Sequence, residues 1–132
     1  MLDSGYLTVA KIGHSRIPVR IHWTAPVGAW LFTGGGLYPA RWLTFLMLIL
    51  FHELGHVVMV RIARGQVMSV DVNAIGGRCS WFGQVTQFQR SYIAFGGVLA
   101  QGVLFVAALL TRVAGVSPFG AQTDLARPVF QQ

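Results

Sequence analysis

Three polar side chains at metal-binding spacing stand inside an apolar run of the sequence. The run covers residues 42–60 and contains His52, Glu53 and His56 in a His-Glu-x-x-His arrangement. Residues four apart on a helix share one face, so the two imidazoles can bind one metal ion. Glu53 lies about 100° round the helix from His52, where it can reach a metal-bound water without being a ligand. The spacing predicts hydrolysis, in which the metal lowers the pKa of its water and the glutamate takes the proton.

Glu53 is the only glutamate of the chain, and its run contains no other charged residue. A charged group in the middle of a membrane helix costs roughly 2.5 kcal/mol or more on insertion scales, so it needs a compensating role. A polar cluster that only hydrogen-bonds neighbouring helices is the alternative. Three polar groups at ligand spacing exceed what helix packing requires, and metal binding is therefore the preferred interpretation.

The composition indicates a membrane protein of one domain. The chain has 132 residues, of which 54% are hydrophobic and 11% charged, which is too apolar for an ordinary soluble domain. The formal net charge is +6, but the basic residues are scattered at the ends of apolar runs, as expected of residues that lie at lipid headgroups. We therefore expect a lipid bilayer as partner and no nucleic acid. The single Cys79 excludes an intrachain disulfide and a cysteine-based zinc site.

The apolar runs predict a mostly α membrane protein with about three membrane helices and a small interfacial β-hairpin between the second and third. The expected parts are an N-terminal interfacial arm (1–20), a membrane core (21–110) with spans at about 21–38, 42–60 and 92–110 and a hairpin at 66–89, and a C-terminal tail (111–132). The first span contains Pro26 and three consecutive glycines and is short for a full crossing, so we expect a tilted or broken helix there.

The predicted hairpin differs in composition from the spans around it. Residues 67–75 are rich in β-branched side chains, Gly76 and Gly77 follow, and residues 79–86 continue with Trp81, Phe82 and Val85. This pattern predicts two short strands round a glycine turn. Such an edge can pair with an extended substrate by strand addition, or it can be a plain connection, and the sequence leaves both open.

The third span carries a stripe of small residues. Gly96 and Gly97 lie in it with Ala100 and Gly102, which allows close packing against another helix. Gln101 is the one strongly polar residue of this span. Its side chain can hydrogen-bond the motif helix or a substrate backbone, or it can only hold helices together.

The basic residues predict how the chain is oriented in the bilayer. Seven of the ten Lys and Arg residues fall in the N-terminal arm and in the loop after the motif helix, and three fall on the opposite side. The positive-inside rule therefore places the N-terminus and the hairpin in the cytoplasm. The His-Glu-x-x-His motif then lies towards the cytoplasmic end of its helix, where water can reach it.

Four stretches of the chain together resemble the site-2 protease family of intramembrane zinc metalloproteases. The matching stretches are residues 16–23 (Arg-Ile-Pro-Val-Arg-Ile-His-Trp), 51–57 (Phe-His-Glu-Leu-Gly-His-Val), 73–77 (Asn-Ala-Ile-Gly-Gly) and 93–101 (Ile-Ala-Phe-Gly-Gly-Val-Leu-Ala-Gln). The last is similar to the family's Gly-Pro-x-x-Asn segment, with Val98 in place of the proline and Gln101 in place of the asparagine.

The resemblance implies cleavage of a transmembrane protein substrate within or near the bilayer of the bacterial inner membrane. It makes His52 and His56 the ligands of one Zn²⁺ per chain and Glu53 the catalytic base. Gly96, Gly97 and Gln101 then belong to the segment that positions the substrate.

The chain departs from the family at the third zinc ligand. The family uses an aspartate in a Leu-Asp-Gly motif, which this sequence lacks, and Asp124 stands in a Thr-Asp-Leu context that does not match. Catalytic zinc normally keeps three protein ligands plus water. Three readings follow: the sequence is a fragment, the ligand comes from elsewhere, or the site has decayed. A catalytically inactive relative that serves as a structural subunit of a larger membrane complex is the alternative function.

Overall fold

A computed structural model describes residues 5–115, which form a four-stranded mixed sheet and three helices. In chain order the elements are β1 (Tyr6–Ile12), β2 (Ile17–His22), α1 (Ala25–Phe32), α2 (Pro39–Ile62), β3 (Gln66–Val72), β4 (Gly77–Phe82) and α3 (Gln87–Val113). The chain divides into two compact units, one ending at Gln101 and the other beginning at Gly102, so that the last part of α3 belongs to the second.

The prediction of a mostly α membrane protein with a single hairpin is wrong, because the sheet is a major part of the fold. The strand order is β1-β2-β3-β4, which makes this a small α/β protein. The predicted hairpin exists as β3 and β4, which pair antiparallel, but the predicted interfacial arm is itself an antiparallel pair, β1 and β2. β2 then pairs parallel with β3 and joins the two halves into one sheet.

The parallel pairing of β2 with β3 has no local signal in the sequence. It joins Arg20 to Asp71, which lie 51 positions apart. A hairpin, in contrast, can be predicted from the short turn sequence between its two strands. The two side chains also form an ion pair, in which Arg20 donates from Nε and Nη2 to the two carboxylate oxygens at 2.7 and 2.8 Å. Ser69 donates to the same carboxylate at 3.3 Å.

One face of the sheet packs against α2. Ile17 and Val19 of β2 are buried together with Val70 of β3 and Val57 of α2. The period-two alternation of β2 produces this face, since Ile17 and Val19 point the same way and Pro18 between them is only half-buried. The sheet therefore lies against the half of α2 that carries the polar motif.

In the described part of the chain two helices, not about three as predicted, are long and apolar enough to cross a membrane. These helices are α2, with 24 residues, and α3, with 27, and they contain the predicted second and third spans. The predicted first span yields only α1, whose 8 residues extend about 12 Å, well short of a hydrocarbon core of about 30 Å. The glycines at 34–36 lie in the connection to α2 and end the apolar segment early.

Helices α2 and α3 cross at a pair of glycines. A Cβ atom added to Gly55 would collide with the carbonyl of Gly96, and one added to Gly96 would collide with the carbonyl of Gly55. Close backbone approach of this kind requires small residues, as in other membrane-type helix pairs. The crossing brings the first half of α3 next to the polar motif of α2.

Candidate metal centre

The three polar residues of α2 converge on one point. His52, Glu53 and His56 each offer one ligand atom, and these atoms lie within 4.8 Å of one another. The Nε2 atoms of the two histidines are 3.2 Å apart. Two nitrogens bound to one tetrahedral zinc at about 2.0–2.1 Å lie about 3.3 Å apart, so the spacing of the imidazoles fits a shared ion.

The ring of His56 is oriented by a backbone carbonyl of α3. Its Nδ1 lies 2.7 Å from the carbonyl oxygen of Ile93. Because a carbonyl can only accept, Nδ1–H donates, and the neutral ring keeps its lone pair on Nε2, the atom that faces His52. Metal-binding histidines are typically held in this way by a hydrogen bond from the other ring nitrogen.

The ring of His52 lies against a glycine of α3. A Cβ atom added to Gly97 would collide with the Cε1 and Nε2 atoms of His52, so any larger residue there would displace the imidazole. The sequence predicted that Gly97 positions substrate, whereas the structure places it against a candidate ligand.

Glu53 is buried between α2 and β4. Its side chain is only 4% exposed, and a Cβ atom on Gly77 would collide with its carboxyl group. The carboxylate accepts a hydrogen bond from the backbone N–H of Cys79. β4 lies at one end of the strand order in the described part of the chain, so the cluster stands beside a sheet edge.

An open cleft of about 360 Å³ gives access to the cluster. Besides the three polar residues of α2, its lining comes from β4 and the start of α3: Gly77, Arg78, Cys79, Trp81, Arg90, Ile93 and Ala94. Two of these residues are arginines, and they place positive charge at the mouth of the cleft. This volume lies within the usual range of ligand-binding clefts and is far more than one water molecule needs.

The pKa of the Cys79 thiol is raised to about 12, first by burial and then by the negative charges of Glu53 and Asp71. The side chain is therefore a protonated thiol near neutral pH, and its sulfur is not part of the convergent group.

No further histidine, cysteine or carboxylate joins the cluster within residues 5–115. Asp71 is held by Arg20, and Asp124, like the rest of the tail after residue 115, lies outside the described residues. The two other residues predicted to position substrate are not at the cleft. Gly96 lies at the helix crossing, and the side chain of Gln101 is exposed and does not line the cleft.

Two contributors to the site were not predicted from the sequence. Gly77 belongs to the stretch that was assigned to the hairpin. The glycine pair at 76–77 could have indicated its role, because glycine in a strand often marks a close approach, and here the Glu53 side chain leaves no room for a Cβ atom. The role of the Ile93 carbonyl could not be read from the sequence, since every residue has a backbone acceptor.

Comparisons with protein-family models, with curated proteins and with solved structures return no match for this chain.

Proposed function

We propose that the chain is an intramembrane zinc metalloprotease of site-2 protease type, which hydrolyses a peptide bond of a transmembrane protein. The observation that carries the proposal is the 3.2 Å approach of two histidine Nε2 atoms with Glu53 beside them, on a helix able to cross a membrane. A packing subunit has no need of this arrangement, because burying a carboxylate beside two histidines is costly without a compensating role.

The residues divide the chemistry between them. His52 and His56 hold the zinc ion, and the Ile93 carbonyl keeps His56 in the tautomer that presents Nε2. A bound zinc ion supplies an activated water and polarises the scissile carbonyl. Glu53 accepts a proton from the water and transfers it to the leaving amine, while the Cys79 N–H orients its carboxylate.

The substrate lies along the outer edge of β4. This strand ends the described sheet and lines the cleft, so an extended peptide can pair with those outward N–H and C=O groups that are not bonded to Glu53. A helix cannot expose a peptide bond to water attack, and strand addition would hold the substrate open next to Glu53. The cleft mouth carries Arg78 and Arg90, which favours carbonyl and carboxylate groups there.

The membrane assignment rests on α2 and α3. Only 22% and 17% of their most apolar windows are buried by the rest of the protein, as expected of helices that face lipid. We place the protein in the bacterial inner membrane with the sheet on the cytoplasmic side. Because β2 and β3 lie on either side of α2 in the chain yet pair in one sheet, residues 23–38, which contain α1, must carry the chain back across the bilayer. Both strand pairs then lie on one side of it, together with the larger share of the basic residues.

A second candidate function is that of a catalytically inactive relative within a membrane complex. The observation that favours it is the ligand count: residues 5–115 bring two histidines and Glu53 together, and no separate third ligand. If Glu53 itself binds the ion, no base remains for the water.

Hydrolysis by the purified protein in proteoliposomes separates the two functions. The substrate is a single-span protein with a fluorescent tag at each end, and the variant is Glu53→Gln, which preserves size and removes the base. We expect cleavage by the wild type to fall by about 10²–10⁴-fold in the variant, with zinc content unchanged. Cleavage retained by Glu53→Gln contradicts the assigned base, and loss of zinc in this variant identifies Glu53 as a ligand and favours the inactive relative.

A further inference from the structure

A second cleft, about 590 Å³ in volume, lies where the C-terminal end of α2 meets the turn between β1 and β2. We call it the basic cleft, and it is lined by Ser15, Ile17, Arg61, Arg64, Gly65, Gln66 and Val67. The turn contacts α2 directly, since a Cβ atom on Gly13 would lie 3.3 Å from Nη2 of Arg61. None of these residues belongs to the metal cluster.

Two arginines at this junction have backbone conformations that favour glycine. Within residues 5–115, Arg16 (φ 47°) and Arg64 (φ 61°) are the only non-glycine residues with positive φ. Arg64 lines the basic cleft, and Arg16 stands between two residues that do. Strained conformations of this kind persist only where the surrounding structure holds them, and they cluster at functional sites.

Arg64 takes the position at which helices most often carry glycine. The Gly65 N–H donates to the Val60 carbonyl at 2.9 Å, and the Arg64 N–H donates to the Arg61 carbonyl at 3.0 Å, which together form a Schellman motif. An ordinary helix end would have glycine at the left-handed residue. The helix dipole accounts for one basic side chain in the last turn, Arg61, but not for a second one on a strained backbone.

The guanidinium groups of the basic cleft have no carboxylate partner within the described residues. That part of the chain contains two acidic residues, Glu53 at the metal cluster and Asp71 in its ion pair with Arg20. Arg61 and Arg64 therefore present guanidinium groups without a carboxylate partner to a cleft that Ser15 also lines. Guanidinium groups with a neighbouring hydroxyl match the oxygens of a phosphate.

We propose that the basic cleft binds a phosphate group. Arg61 and Arg64 hold its oxygens, and Ser15 donates to it from the opposing turn. The cleft lies at the end of a helix able to cross a membrane, so the phosphodiester of an anionic phospholipid headgroup has the required chemistry and so does free phosphate. The site is separate from the metal cluster and does not depend on the proposed protease activity.

The test measures phosphate binding by the full chain in neutral detergent. Inorganic phosphate is titrated calorimetrically, and short-chain phosphatidylglycerol and phosphatidylcholine are compared by native mass spectrometry. The variant is Arg61→Gln with Arg64→Gly, and the control is Arg41→Gln with Arg112→Gln, which removes the same charge at other helix ends. His56→Ala is included because it alters only the metal cluster.

We expect saturable binding of one phosphate group per chain, weakened about tenfold or more in the basic-cleft variant and unchanged in the control and in His56→Ala. Binding of inorganic phosphate identifies a soluble phosphate compound as the ligand. Selective retention of phosphatidylglycerol without a response to phosphate identifies a lipid headgroup. Equal retention of the two lipids without a response to inorganic phosphate, equal losses in variant and control, or no saturable binding would each overturn the proposal.

The single variant Arg64→Gly separates binding from folding. Glycine adopts the left-handed conformation without strain, so the melting temperature of this variant is expected to equal or exceed that of the wild type. Its phosphate affinity is expected to fall at the same time. A variant that is more stable and binds phosphate as tightly as the wild type would show that Arg64 has no part in the site.

Discussion

Helices α2 and α3 are both long, apolar and able to cross a membrane, yet they contribute to the candidate metal centre in opposite ways. Within residues 5–115, helix α2 supplies all three side chains of the cluster that can bind the metal or move a proton. Helix α3 supplies a carbonyl at Ile93 and space at Gly96 and Gly97. Ligand residues at the right spacing are therefore not enough to form a metal site. Their imidazole rings also need a neighbouring helix that leaves room for them and fixes their orientation.

The largest expected effect is at the helix crossing. Gly96→Ala places a Cβ atom against the Gly55 carbonyl, and backbone cannot rotate away as a side chain can, so the helices must separate. We expect a loss of about 1–3 kcal/mol in the free energy of unfolding. Thermal unfolding in detergent measures the loss, with Gly102→Ala as control, since nothing lies within 4 Å of a Cβ atom there. Equal melting temperatures for the two variants would mean that α3 does not cross α2 at Gly96.

Gly97→Ala tests whether α3 controls a ligand that it does not carry. The added methyl group displaces the His52 ring, so the zinc affinity is expected to fall about 10–100-fold, the range found for outer-shell changes. Competition with a chelator measures the affinity, again beside Gly102→Ala. Unchanged zinc affinity in Gly97→Ala would show that His52 is not held at this position.

Gly77→Ala applies the same test to β4, which leaves room for Glu53 as α3 does for His52. The new Cβ atom displaces the carboxyl group, so hydrolysis should fall about tenfold or more while the two histidines keep the zinc. The control is Gly76→Ala, in the same turn. An added Cβ atom meets nothing within 4 Å there, and the positive φ of Gly76 means that this variant also carries the cost of backbone strain. A variant that loses zinc as well would assign a ligand role to Glu53.

The smallest effect is expected at Cys79. Its thiol has a pKa of about 12 and its sulfur lies outside the convergent group, so Cys79→Ser should leave the zinc content unchanged. Because the raised pKa leaves almost no thiolate at pH 8, alkylation should be far slower than for an unhindered cysteine, and it should accelerate as the pH rises above 9. Fast alkylation at pH 8 in the folded protein would contradict the burial of this residue.

The local parts of this architecture were predictable from the sequence. The His-Glu-x-x-His spacing predicted one face for His52 and His56, and the β-branched run with its glycine pair predicted the hairpin, because both signals lie within a few residues. The parallel pairing of β2 with β3 was not predictable, since Arg20 and Asp71 meet only through the tertiary fold.

The groups of α3 that support the site were not predictable either, because they meet α2 only in the tertiary fold. The small-residue stripe of α3 predicted close packing but not which residues meet, so the contact of Gly97 with His52 was not predicted. The number of spans predicted from apolar content was too high. The predicted first span contains only the 8 residues of α1, because glycine and proline interrupt it after that helix.

Elemental analysis of the purified chain tests most directly whether α2 binds a metal ion through His52 and His56. The protein is prepared in neutral detergent without chelators, beside His56→Ala. We predict about one zinc per chain in the wild type, the usual stoichiometry of a single tetrahedral site, and its loss in the variant. A wild-type protein that contains no zinc, or a variant that retains it, would contradict the account.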